Sequence, residues 1–290
     1  MSTAPNSTGD RLFIGLQHLL PQHLLSRAVH AIARVRAKPF KDLLIRAFLR
    51  SYAVNLSEAL HSHADAYESF NAFFTRALKP GARTVDVAVE AVACPVDGTV
   101  SQAGRLERGL LLQAKGLQYT AGALLDDRAM AREFDGGSFA TLYLAPYDYH
   151  RVHMPLAGTL RFARYVPGDL FSVNAATAAG VPDLYARNER IALVFDTLAG
   201  PMAVVLVGAL FVGSMSLAWA GEVTAERPPR TRELPVDDPI VALARGAELG
   251  RFNMGSTVIL MFPAGRVRFS EGLLPGVSVR MGERIASITI

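Results

Sequence analysis

Residues 197–221, TLAGPMAVVLVGALFVGSMSLAWAG, run without a single charged side chain. That length suits a membrane-spanning helix. The composition suits buried strands instead. Pro201, Gly208 and Gly213 punctuate the run, and Val204, Val205, Val207 and Val212 are β-branched. The strand reading decides the fold, and the flanking sequence agrees with it. From about residue 88, short β-type runs fall at 91–94, 98–103, 139–144, 159–166, 190–196, 202–213, 216–224, 257–262, 266–270 and 277–290, most of them separated by Gly or Pro. One helix is expected at 120–134, capped by Thr120 and turning Leu124, Leu125 and Met130 inward. The stretch 226–242, rich in proline and charge, reads as an exposed connection.

The N-terminal part is different in kind. Between Arg11 and Arg50 lie eight basic residues and one acid, Asp42, so this segment carries +7 of a chain total of +4 and the remainder is slightly acidic. Leu25, Ala28, Val29, Ile32 and Val35 recur at helical spacing. Three short helices are expected, separated at Pro21 and Pro39, with a further one near Ser69 carrying Phe70, Phe73, Phe74 and Leu78. Basic amphipathic helices of this kind either lie in a membrane interface or cap the body with a solvated basic face. The expected fold class is therefore α+β: a helical, membrane-associating region over 1–60 on a mainly antiparallel β body over 61–290.

The mild net charge of the 290-residue chain does not argue for nucleic acid. A lone cysteine, Cys94, excludes an intrachain disulfide and sits in an apolar run, as a small buried hydrophobe would. The start, MSTAPNSTGD, lacks the basic n-region of a secretory signal.

Few residues can carry chemistry. His61 and His63 sit in a polar loop with no acid framing a metal site. His150 and His153 occur in YDYHRVHMP between Pro146 and Pro155; the prolines disfavour a helix, and extended chain would send the two rings to different sides. HRVH lacks the further ligands of a zinc site. Asp97 precedes Gly98 in what alone reads as a turn. Gly255-Ser256-Thr257 opens an apolar run and alone reads as a strand start. The same dipeptide also permits self-cleavage. A serine hydroxyl can attack the preceding glycyl carbonyl to give an ester, elimination across the serine then breaks the chain, and hydrolysis of the dehydroalanine leaves a pyruvoyl group and ammonia. Such chemistry needs a base and an acid that orients it.

Seven segments in order, FNAFFTRALKPGAR (70–83), CPVDGTVSQ (94–102), LQAKGLQYTAGALL (112–125), YDYHRVHMPLAGTL (147–160), YVPGDLFSVN (165–174), ARNERIALVFDT (186–197) and GRFNMGSTVI (250–259), resemble the phosphatidylserine decarboxylase family in its short bacterial form. Met254 replaces the family's usual leucine in L-G-S-T at similar volume. The resemblance implies cleavage between Gly255 and Ser256 into a large chain, 1–255, and a small chain, 256–290. Asp97, His153 and Ser256 would form the self-cleavage triad. Ser256 would become the pyruvoyl cofactor, with no metal, and form a Schiff base with phosphatidylserine. His150 would donate the proton in decarboxylation to phosphatidylethanolamine. It further implies a homodimer of processed pairs, peripheral on the cytoplasmic face of the inner membrane and held by an anionic lipid surface. Arg151, Lys115 and Arg190 are basic candidates for the substrate phosphate. The competing readings are a serine hydrolase acting on an external substrate, which G-S-T without the G-x-S-x-G elbow does not favour, a non-catalytic membrane module, and the same chemistry on a related serine lipid.

Overall fold

The structure, a computed structural model, describes residues 7–211, 214–224, 228–236, 240–254 and 256–289. Val212, Gly213 and Gly255, together with 226–227 and 237–239 of the charged connection, lie outside the described residues.

The uncharged stretch forms strands. Gly200–Val207 and Met215–Leu217 come from it, and Met202 through Val207 are fully buried. Gly200–Val207 lies inside an antiparallel sheet that holds nine strands among the described residues. Its main path runs Arg232–Glu233, Gly158–Val166, Arg190–Thr197, Gly200–Val207, Ser256–Phe262, Ser138–Leu144, Gly98–Arg105, Ser278–Val279. Both faces of this sheet are covered, which explains why its central strands read as continuous apolar runs rather than as alternations. Val258, Leu260 and Phe262 enter one core with Val204, Leu206 and Leu142. Ile259 and Met261 enter another on the opposite face with Val205 and Val207. A four-stranded sheet, Gly221–Glu222, Met215–Leu217, Glu248–Phe252, Arg151–His153, contributes to the first core. The second is closed by short helices and the Leu110–Ala114/Leu117–Thr120 hairpin.

The expected helix at 120–134 is broken. Thr120 caps Ala121–Leu125 as anticipated, accepting from Ala123 N at 3.0 Å. Asp126 then turns left-handed, and Asp127 caps a second short helix, Arg128–Ala131. Here two successive aspartates favour stopping and restarting over continuing.

The N-terminal helices are α1 (Thr8–Leu19), α2 (Gln22–Ala33) and α3 (Lys38–Ser51), followed by α4 (Phe70–Phe74). Pro21 caps α2, but Pro39 lies within the first turn of α3, where its missing N–H needs no partner. α1 and α2 meet the body largely through polar side chains. Gln17 and Gln22 are buried, and their amide oxygens accept from Ser172 N and Leu170 N, each at 2.7 Å. On α2, His30 and Arg34 meet Glu222 at 2.7 and 2.8 Å. The apolar residues point outward: Leu12, Leu16, Leu19, Leu24, Ile32 and Leu43 are all exposed, Leu19 by 82%. α1 also packs Ile14 and α2 Ala33, and α3 packs a larger apolar side, with Ile45 and Phe48 against Phe70, Phe73 and Phe74. Among the described residues no helix is long and apolar enough to cross a membrane.

Candidate active site

Two antiparallel pairings bring the chemical residues to one end of the large sheet. Ser256 begins the strand Ser256–Phe262 opposite Leu144, the last residue of Ser138–Leu144. The chain leaving Leu144 turns at 145–148, where Asp148 Oδ2 accepts from Ala145 N at 2.7 Å, and re-enters as Arg151–His153. That strand pairs with Glu248–Phe252, and Phe252 N donates to His150 O at 3.0 Å. The segment bearing the two histidines therefore faces the segment running into Ser256. Asn253 is pinned there by donating its side-chain amide to Ser214 Oγ at 2.7 Å and Ser216 Oγ at 3.0 Å. Ser214 in turn donates to Glu222, the acid that also holds His30 and Arg34 of α2.

Asp97 approaches from the other side of the same strand. Thr99 pairs with Tyr143, so Asp97 and Ser256 flank the 144–145 backbone from opposite sides. Two interstrand spacings put their backbones roughly 10 Å apart. Gly98 allows this packing: a Cβ at Gly98 would strike the carbonyl oxygen of Tyr143.

The three residues carried over as a triad are thus gathered but not joined. Asp97 accepts from Arg83 Nε at 2.9 Å, from Arg83 Nη2, and from Met281 N at 2.9 Å. His153 directs Nδ1 to Gly246 O at 2.8 Å and Nε2 to Tyr149 Oη at 3.0 Å. Since a carbonyl can only accept, Nδ1 carries the proton, and Nε2 is the basic nitrogen, accepting from Tyr149. Burial lowers the His153 pKa, while the Gly246 hydrogen bond and the charges of Glu248 and Asp97 oppose that. Asp97 therefore reaches His153 through its field, and Gly246 sets the tautomer.

His150 differs from the ordinary imidazole that a proton donor calls for. It is fully buried, stacked on Phe74 at 4.1 Å and 21°, with Nδ1 lacking any partner. Burial and the neighbouring Arg76 charge push its pKa down to about 3, so the resting ring is neutral. Ser256 Oγ and Thr257 Oγ1 are likewise buried without partners. Unsatisfied buried polar atoms are rare, and these three lie where the chemistry is expected.

The depressed His150 pKa has a consequence for stability. The unfolded imidazole binds a proton below about pH 6.5 and the folded one only below about 3, so stability falls as pH drops through that window. At pH 5 the loss is about 2 kcal/mol. Melting curves from pH 7.5 to 5 should show it, and His150→Asn should flatten the slope.

The basic candidates named from sequence are committed elsewhere. Arg151 binds Thr75 O and Glu248 at 2.9 and 2.8 Å. Arg190 donates to the carbonyls of Leu124, Ala123 and Asn188. Lys115 occupies a positive-φ turn of the hairpin and lines a separate cavity with Tyr143. Sequence reasoning passed over Arg76 and Tyr149, although both lie within the quoted motifs. Cys94 is a buried thiol pushed up to about 12, too weakly acidic for a nucleophile. His61 and His63 are exposed, and among the described residues no His, Cys, Asp or Glu cluster could hold a metal ion.

Comparison with known proteins agrees with the motifs. Residues 70–287 match the family model described as phosphatidylserine decarboxylase, and residues 12–53 match a second model described as PSD. The chain is similar to curated phosphatidylserine decarboxylase proenzymes of Pseudomonas putida (56% identical, 96% of this chain and 98% of the relative) and Azotobacter vinelandii (54%, 97% and 99%). That of Methylococcus capsulatus is 52% identical over 96% of each chain. With both lengths spanned and the family model covering more than half of the sequence, the chain belongs to the phosphatidylserine decarboxylase family.

Proposed function

We propose that this protein is a proenzyme that severs its Gly255–Ser256 linkage and, once processed, converts phosphatidylserine to phosphatidylethanolamine and CO2. One observation carries the reading: a serine hydroxyl, 1% exposed and without a hydrogen-bond partner, opens the central strand of a chain more than half identical to curated proenzymes. Its position fits a pyruvoyl precursor, since among the described residues nothing else bonds that oxygen.

In the proposed cleavage, Ser256 Oγ attacks the Gly255 carbonyl carbon and its proton passes to His153 Nε2, directly or through Tyr149, whose hydroxyl already meets that nitrogen. Asp97 stabilises the imidazolium through space. Elimination leaves Gly255 as a carboxylate; hydrolysis of the dehydroalanine consumes water and releases ammonia.

A pyruvoyl group at position 256 supplies an electron-withdrawing carbonyl that engages the substrate amine and accepts the electrons left as CO2 departs. His150 handles the proton. Neutral at rest, its Nδ1 collects the proton shed by the substrate ammonium and returns it to the carbon that loses the carboxylate. The enclosing Phe74 ring and sheet end keep bulk water from competing for that carbon.

Attachment to an anionic lipid surface follows from the outward apolar face of α1–α3. Each side chain seated in a bilayer contributes roughly 1.5–3 kcal/mol, and each nearby Arg or Lys about 1 kcal/mol. Arg11, Arg27, Arg36, Arg46 and Arg50 are exposed on the same helices and their connection. Combining Leu16→Glu, Leu19→Glu and Leu43→Glu alters only exposed positions, so folding should persist. Co-sedimentation with phosphatidylglycerol vesicles should fall at least tenfold, and unchanged binding would refute the attachment.

The reading as a whole is checked by intact-mass spectrometry of purified protein. Two chains meeting at 255/256, the smaller with a ketone at its N-terminus, are expected. A single intact chain labelled by a serine-directed probe would favour the hydrolase reading.

A further inference from the structure

The chain leading to the Gly255–Ser256 linkage is held residue by residue. Phe252 is buried in the first core, and Met254 packs against the aromatic cluster of α3 and α4. Between them Asn253 is buried, its backbone N donating to Ser214 O at 2.8 Å. Its side chain enters a polar chain that runs back to α2. Asn253 Nδ2 donates to Ser214 Oγ and Ser216 Oγ at 2.7 and 3.0 Å, and Ser214 Oγ donates to Glu222. Glu222 meets His30 Nε2 and Arg34 Nη2 of α2 at 2.7 and 2.8 Å.

This chain has a direction. Burial raises the Glu222 pKa, but the bonds from Ser214 and His30 and the Arg34 charge outweigh it and leave it lowered, so the carboxyl is ionised. A carboxylate only accepts, so the single hydroxyl hydrogen of Ser214 points to Glu222. The Ser214 oxygen is then left to accept, and only the NH2 side of Asn253 can face it. Asn253 Oδ1 is turned the other way, to Asn71 Nδ2 of α4 at 3.4 Å. An acid on the strand Gly221–Glu222 therefore sets the orientation of an amide two residues before Gly255. Attack of a serine hydroxyl on the carbonyl before it depends on such placement: a misplacement of about 1 Å costs on the order of 100-fold in rate.

We propose that Glu222 is a positioning residue for self-cleavage, acting through Ser214 to hold the Asn253 amide, with His30 and Arg34 of α2 as its anchor. This rests on the self-processing reading above. α2 then has a task beyond presenting an apolar face to lipid. A chain whose α2 has not docked leaves Glu222 unclamped and cuts slowly, so cleavage follows assembly of the helical region on the body.

The test follows the full-length chain after a pulse of cell-free synthesis without vesicles, reading the fraction cut against time. A wild-type chain that stays whole would refute the self-processing reading rather than this one. Glu222→Ala should slow cleavage roughly tenfold or more. Glu222→Gln keeps an accepting oxygen without the charge, and should cut within about threefold of wild type. Asn253→Ala should itself be slow, and adding Glu222→Ala to it should change the rate by less than about twofold, because the acid acts through that amide. An ion pair that merely stabilises the fold predicts the reverse: Gln as slow as Ala, and losses that multiply in the double variant. Should Glu222→Ala fail to fold, Ser214→Ala removes the middle hydroxyl instead and should show the same slowing, again absorbed in the Asn253→Ala background. Cleavage of Glu222→Ala at the wild-type rate, a Gln variant as slow as Ala, or multiplying losses would each overturn the proposal.

Discussion

Ser256→Ala should leave one uncut chain of 290 residues with no measurable decarboxylation, while its melting temperature stays near that of the unprocessed parent. The reasoning is local. Ser256 Oγ is buried without a hydrogen-bond partner, so removing it breaks no bond and relieves an unsatisfied polar atom. The backbone of Ser256 keeps its pairing with Leu144, and alanine fits any strand position that serine fills. Chemistry, by contrast, loses everything, because alanine has neither a nucleophile for the Gly255 carbonyl nor an oxygen to become a ketone. Mass spectrometry and a CO2-release assay read the two halves separately. Ser256→Cys sharpens the test: a thiol can make the acyl shift, so slow cleavage with low activity is expected. A cleaved Ser256→Ala chain would sink the mechanism, and an uncut wild-type chain with full activity would sink it equally.

How much of this was legible beforehand differs from element to element. The uncharged stretch at 197–221 resolved correctly into strands because Val clusters and turn residues are local signals. Thr120 was legible as a cap for the same reason. The strands Arg151–His153 and Glu248–Phe252 were not read: they are short, mix charge with apolar residues, and exist because each supplies the other's partner. Helical spacing in 11–50 revealed amphipathic helices but could not say which face turns inward. Burial of Gln17 and Gln22 depends on backbone amides at 170 and 172, far away in sequence. Ser256, His150, His153 and Asp97 were visible as motif residues, and their actual partners were not. Arg76 carries no local signal in the sequence, and its burial rests on the carbonyls of Tyr147 and Asp148, more than 70 positions away.

The two histidines should separate when each is replaced. His153→Ala should slow maturation at least a hundredfold, the usual worth of a general base, so that the uncut chain dominates. His150→Ala should mature and then turn over at least a hundredfold more slowly. The structure supports the division through nitrogens: His153 keeps Nδ1 protonated against Gly246 and Nε2 basic, whereas His150 is neutral with Nδ1 free of partners. It also shows how the division could fail. His150 sits on the segment that bonds Phe252 N, and its ring rests on Phe74 in the aromatic cluster that Met254 also contacts. Its free nitrogen therefore lies beside the chain leading into Ser256, while His153 points toward Tyr149. An uncut His150→Ala chain beside a normally cleaved His153→Ala chain would transfer the base to His150. Where His153 is the base, Tyr149→Phe distinguishes its two routes: it should slow cleavage only if the proton reaches His153 through the Tyr149 hydroxyl.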